Sequence, residues 1–183
     1  MGVILPIAFL LITLAIVVLY AMVGELARRI PDGEPAEDPV RPLTEFQQGT
    51  APTHWPDDLS ALGDAPQALI LVLSPVCSTC TNVAKELALL APDKLDIPIG
   101  VLVSAAGRNI GEEFAARHSL ARYPHLVDEK GAWISGNFGV NISPTGLLME
   151  RGALAQAYSF TKATDLIQTV VKAREVKARE GVS

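Results

Sequence analysis

The chain has 183 residues, 49% of them hydrophobic, 19% charged and 5% aromatic, with a net charge of −5. That apolar fraction excludes a solvated, disordered chain, and an acidic balance with no basic patch repels a phosphate backbone, which excludes general nucleic-acid binding. Two cysteines cannot build a disulfide-dense scaffold, nor complete a four-thiolate zinc or iron–sulfur centre by themselves.

From Val3 to Val23 the sequence runs 21 residues without a charge. As a helix it would be roughly 31 Å long, which matches the hydrocarbon thickness of a bilayer. Pro6 falls in the first turn, where its missing N–H does least harm. A cleaved signal peptide is the alternative. Against it stand the length of the run, the absence of a preceding Lys or Arg, and the lack of a small-x-small cleavage site after Tyr20. The expectation is therefore a transmembrane anchor within residues 1–26, in contact with lipid through residues 3–23. Arg28 and Arg29 follow closely, so the positive-inside rule alone puts the rest of the chain in the cytoplasm.

Residues 31–66 hold seven of the thirteen prolines and eight acidic residues against the single Arg41. Such spacing forbids regular helix or central strand and keeps the segment wetted. Residues 27–66 thus read as a tether, semi-rigid in its first half. In the second half Leu43, Phe46, Trp55, Leu59 and Leu62 could pack on the following domain as an N-terminal extension.

From Gln67 to the end, short apolar runs alternate with helical stretches, the pattern of an α/β sheet domain over residues 67–183. Ala68–Ser74 reads as a buried strand, Cys77–Leu90 as a helix stopped by Pro92, and Ile97–Val103 as the next buried strand. Gly111–His118 reads as helical, Pro124–Val127 as a short strand, and Glu129–Phe138 as a short helix or turn. Leu147–Glu150 and Leu154–Ser159 flank Arg151-Gly152-Ala153 and predict a hairpin. Leu166, Ile167, Val170 and Val171 recur at helical spacing in a final helix, Lys162–Arg179, whose basic residues form a solvated face.

The chemistry-bearing motif is Cys77-Ser78-Thr79-Cys80. It follows a buried strand directly and opens a helix, the setting in which a Cys-x-x-Cys pair becomes a redox couple. The free N–H groups and the positive dipole end of the first turn favour a thiolate at Cys77, the attacking sulfur. Cys80 lies one turn further along the same face and deeper, close enough to close a disulfide and resolve a mixed one. Three other readings compete: a metal site, two structural core cysteines, and a permanently closed disulfide. The metal reading lacks ligands, because His54, His118 and His125 are not spaced as a second pair; they and Trp55 and Trp133 read as surface or packing residues. No cofactor or metal is called for.

A second motif, Phe138-Gly139-Val140-Asn141-Ile142-Ser143-Pro144-Thr145, sets a proline where the chain turns into a strand, which invites a cis peptide. Taken in order, strand, Cys-x-x-Cys helix, strand, aromatic-Gly-x-x-x-x-Pro-Thr, hairpin and terminal helix resemble the thioredoxin superfamily over roughly Leu69 to Val171. The interval of 64 positions between Cys80 and Pro144 holds an additional helix and strand, similar to the insertion of membrane-tethered thioredoxins of the TlpA and ResA type. The stretch Leu73-Ser74-Pro75-Val76-Cys77-Ser78-Thr79-Cys80, with Gly49-Thr50-Ala51-Pro52 ahead of it, looks closer still to the MauD group of methylamine-utilisation proteins.

The resemblance implies a thioredoxin-like fold, a central mixed sheet flanked by helices. It implies Cys77 and Cys80 as the catalytic pair, and a substrate groove formed by Ser143, Pro144 and Thr145, with the Ser143 backbone pairing to the substrate as an added strand. Two departures stand out. Leu71 occupies the place, six residues before Cys77, where thioredoxins keep a buried Asp, and Val76 replaces a flanking Trp. Proton transfer from Cys80 then falls to water or a substrate group. Gly146 serves either close approach of a partner backbone or relief of crowding.

The function expected is a membrane-tethered thiol–disulfide oxidoreductase acting on protein thiols or disulfides of exported or membrane proteins, with its domain outside the cytoplasm. A non-catalytic accessory subunit or assembly factor of a membrane complex is the alternative.

Overall fold

The computed structural model describes residues 12–22 and 38–180. Residues 12–22 form a helix, α1, whose apolar side chains are exposed. Among the described residues no helix is long and apolar enough to cross a membrane. The span expected over residues 3–23 extends past the described residues at both ends, and Arg28, Arg29 and residues 31–37 lie outside them.

The second unit begins at Asp38. Its strands are Val40–Pro42 (β1), Gln67–Leu73 (β2), Ile99–Ala105 (β3), His125–Glu129 (β4), Thr145–Glu150 (β5) and Ala153–Phe160 (β6). Its α-helices are Ser60–Gly63 (α2), Ser78–Leu89 (α3), Arg108–Arg117 (α4), Ala132–Phe138 (α5) and Ala163–Glu180 (α6). The six strands form one mixed sheet in the order β1-β6-β5-β2-β3-β4. β2, β3 and β4 run parallel; β5 pairs antiparallel with β2 and β6, and β6 with β1.

The continuous apolar run of β2 is explained by burial on both faces. Leu69, Leu71 and Leu73 point into one core with Val83 and Leu87 of α3, Phe114 of α4 and Leu166 and Val170 of α6. Ala68, Ile70 and Val72 point into the other with Leu59, Leu62, Ile134 and Phe138. Side chains alternate across a strand, so each face of β2 needs its own cover. At roughly 1.5–3 kcal/mol for each large aliphatic side chain buried, these two layers dominate the stability of the fold.

The domain boundary expected at residue 67 moves back to Asp38. β1 pairs antiparallel with β6, Val40 opposite Phe160, and Pro42 is tolerated because β1 is an edge strand. Leu59 and Leu62 are buried, and a Cβ on Gly100 would lie 2.2 Å from a Leu62 methyl, so the extension covers the sheet closely. Trp55 and Trp133 pack with ring centroids 5.9 Å apart, and Trp133 meets Phe138 edge-on at 5.4 Å.

The hairpin β5–β6 turns through Arg151 and Gly152, both at positive φ (52° and 77°), as a two-residue turn that matches strand twist; Ala153 is already in β6. Gly146 is explained by crowding: a Cβ there would lie 2.3 Å from Leu166 Cδ2, and Leu166 is fully buried. Gly146→Ala is expected to destabilise the domain by about 2 kcal/mol, seen as a lower urea midpoint at unchanged slope. An unchanged midpoint would mean that α6 yields at no cost.

Candidate functional site: a dithiol at the head of α3

Three parallel strands end on one side of the sheet, and in α/β proteins that side carries the site. β2 delivers the chain to Ser74, whose carbonyl accepts the Cys77 amide N–H at 3.1 Å, closing a turn with Pro75 in its second place. Cys77 is the N-cap of α3, extended at φ −98° and ψ 117°. Its Sγ accepts the backbone N–H of Cys80 at 3.1 Å. One of the donors that every helix start leaves free is thus spent on sulfur, a contact that strengthens when the sulfur is negative.

The Ser143 carbonyl approaches from the other side, 3.7 Å from Cys77 Sγ. Register explains the meeting. Val72 pairs with Thr145, so the segment before β5 lies beside the segment after β2. The Ser143–Pro144 peptide is cis. Ser143 and Pro144 are half-buried. Thr145, the third member of the expected groove, is fully buried, and its Oγ1 donates to the Ile142 carbonyl at 2.8 Å. Its role is to hold the loop.

The two thiols are free and unequal: Cys77 is half-buried and Cys80 fully buried. Burial, with its hydrogen bond to Cys77 adding, pushes the Cys80 thiol up to about 12 from 9.0, while the Ser74 backbone pulls the other way. Leu71 belongs to the same core cluster as Cys80, so the floor beneath the deeper sulfur is aliphatic. Val76, 95% exposed, precedes Cys77, and Ile142, 51% exposed, precedes Ser143. These side chains give the sulfur an apolar rim suited to an unfolded or extended chain. Sequence reasoning noted Val76 only as a missing Trp and passed over Ile142; its place beside Ser143 is the signal that could have marked it.

The remaining candidates lie elsewhere. His118 packs against Phe114 with the rings tilted and their centroids 4.7 Å apart, and its pKa is lowered by burial and then by Arg117 and Lys85. His125 Nδ1 sits 3.3 Å from the Tyr123 carbonyl, and the His54 carbonyl accepts from Trp133. Among the described residues no group of three or more His, Cys, Asp or Glu could hold a metal. Asp128, buried and unmarked by any motif, accepts the N–H groups of Trp133 and Ile134 at 3.0 and 2.9 Å; its work is to cap α5.

No protein-family model matches the chain, and no curated protein matches it. Solved structures do. DsbF of MTB, known in mixed oxidized and reduced forms, is 20% identical with a TM-score of 0.52, covering 69% of this chain and 94% of its own. A DsbF homologue from Corynebacterium diphtheriae is 16% identical with a TM-score of 0.52, covering 76% of this chain and 96% of its own. A candidate thioredoxin from Neisseria meningitidis is 18% identical with a TM-score of 0.53, covering 70% and 92%. Likeness at this level speaks to architecture, and together with the mixed sheet and the Cys-x-x-Cys pair heading α3 it makes the fold of this chain thioredoxin-like.

Proposed function

We propose that the protein is a thiol–disulfide oxidoreductase whose reacting atom is Cys77 Sγ. The observation that carries this reading is the inequality of the two sulfurs: one half-buried under a helix N–H, the other fully buried one turn behind it. Cys77 thiolate attacks a substrate disulfide, forming one S–S bond and expelling one substrate thiolate. Cys80 then loses its proton and attacks Cys77 Sγ, releasing the second thiolate and closing the Cys77–Cys80 disulfide, so two electrons pass to the substrate. The reverse sequence oxidises a substrate dithiol. No carboxylate is among the groups that act on the Cys80 thiol, so the expelled thiolate is the base on hand for its proton.

The finer reading is a membrane-tethered enzyme of the TlpA and ResA kind, with MauD-like features, acting outside the cytoplasm on exported or membrane proteins. The uncharged run Val3–Val23, the Pro- and acid-rich stretch after it, and the Leu73–Cys80 motif support it. A dithiol beside the outer membrane face meets proteins that acquire disulfides there.

The test is a membrane-impermeant thiol alkylator applied to intact cells before and after mild reduction. Labelling of Cys77 only after reduction is expected of an external oxidant, and labelling without reduction of an external reductant. Labelling that requires broken membranes puts the domain in the cytoplasm and removes the export-linked role. A pair that never interconverts between dithiol and disulfide in a glutathione redox titration removes the oxidoreductase reading itself.

A further inference from the structure

A cavity of about 300 Å³ opens beside the dithiol, at the carboxyl ends of β2, β3 and β4. Its polar lining comes from Ser74, Ser104, Lys130, Ser135, Asn141 and Ser143, over apolar walls that include Val72, Ile134 and Val140. Two of these residues also touch the reacting cysteine: the Ser74 carbonyl accepts the Cys77 N–H at 3.1 Å, and the Ser143 carbonyl is 3.7 Å from Cys77 Sγ. The cavity thus shares two residues with the immediate surroundings of Cys77.

The lining is rich in donors that the protein does not use. The side chains of Ser74, Ser104 and Asn141 make no hydrogen bond among the described residues; Ser135 Oγ donates to the Gly131 carbonyl, and the Ser143 side chain hydrogen-bonds the Cys80 thiol. Lys130 is the charged residue of the lining, and no carboxylate lines it. The two acids just before Lys130 are engaged elsewhere: Asp128 caps α5, and Glu129 pairs with Arg108 at 3.5 Å. Lys130 itself has no ion pair among the described residues. In a chain of net charge −5 this is a local reversal of sign. Its backbone is pinned at φ 57° with the N–H on the Ala105 carbonyl at 2.7 Å, so the base of its side chain is fixed.

An ammonium, two free hydroxyls and an amide make a site for a carboxylate-type anion. The volume is at the lower end for small-molecule sites, too small for a folded partner. We propose that this cavity binds the anionic end of a small carboxylate-bearing thiol or its disulfide, which exchanges directly with Cys77. The inference rests on the oxidoreductase reading and names a second substrate class for the same sulfur. Cys77 thiolate attacks the small disulfide, forming a mixed disulfide and releasing one small thiolate. Cys80, deprotonated by that thiolate, displaces the second, so the pair is oxidised by two electrons and the small disulfide is reduced to two thiols.

The test uses the full chain, reduced, and three small disulfides: dianionic 3,3′-dithiodipropionate, neutral 2-hydroxyethyl disulfide and dicationic cystamine. Loss of protein thiols gives the rates. A thiolate repels an anionic disulfide in free solution, so a faster rate with dithiodipropionate than with the other two is the expected signature of the cavity. In Lys130→Gln the ratio of the dithiodipropionate rate to the hydroxyethyl disulfide rate is expected to fall about tenfold, the loss of one charge-assisted contact, and in Lys130→Arg to be retained. A ratio that Lys130→Gln does not move, or a preference for cystamine, overturns the cavity assignment and leaves the dithiol chemistry standing. If none of the three oxidises the pair, the oxidoreductase reading fails, and the cavity is judged by binding alone. The unreactive 3-(methylthio)propionate should then shift the amide resonances of Ser104 and Asn141 at lower concentration in the native chain than in Lys130→Gln, and equal titrations overturn it.

Discussion

Replacing Cys80 with alanine is expected to leave Cys77 covalently joined to its protein substrates. In the native chain the mixed disulfide is cleared by a sulfur one helical turn away, an intramolecular attack. Without it only external thiols can cut the bond, and the adduct should live about a hundredfold longer or more. The adducts should appear as high-mass bands on non-reducing gels of whole cells, disappear with reductant, and be missing from the Cys77→Ser and Cys77→Ser/Cys80→Ala variants. The structure directs the prediction to Cys77, because Cys80 is fully buried and cannot reach a macromolecule. Adducts formed through Cys80 in a Cys77→Ser protein, or none in Cys80→Ala, would sink the exchange mechanism.

The second large effect concerns protons. A thiol pushed up to about 12 from 9.0 holds about a thousandfold less thiolate at pH 8 than an ordinary one, and iodoacetamide attacks thiolates. Brief alkylation of the reduced protein at pH 8 should therefore modify Cys77 and leave Cys80 intact, read by peptide mass. Equal labelling would contradict both the burial and the raised pKa. The sign for stability follows from the same shift. The folded state keeps the Cys80 proton more tightly than the unfolded chain, so this contribution is complete below pH 9.0 and is lost as pH rises through about 12. The urea midpoint of the reduced domain should fall as pH climbs above 9, and Cys80→Ala should remove that part of the slope.

Much of this was open to reading from local pattern. β2 and β3 are recognisable because strands buried on both faces need unbroken apolar runs, and α6 because Leu166 and Val170 repeat at helical spacing. The pair Cys77 and Cys80 is legible for the same reason. Both ends of the interaction lie within one helical turn, so the spacing alone puts the Cys80 N–H on the Cys77 sulfur.

What escaped depends on partners far away in the chain. The prolines of residues 31–66 speak of a tether, yet Val40 pairs with Phe160, and nothing near Val40 announces that partner. Thr145 fits a substrate groove by its place after Pro144, and only the packed loop shows its hydroxyl turned inward to Ile142. Gly146 was ambiguous until Leu166 of α6 was found against it.

The cavity is the clearest case. Ser74, Ser104 and Lys130 come from the ends of three separate strands, and Asn141 from a loop. Periodicity, capping and the Cys-x-x-Cys turn are short-range chemistry, settled by neighbours in sequence, and they defined the fold class and the reacting pair. The domain boundary, the packing role of Thr145 and the cation-lined cavity beside the sulfur were decided by sheet register, which brings together residues that no local interaction connects.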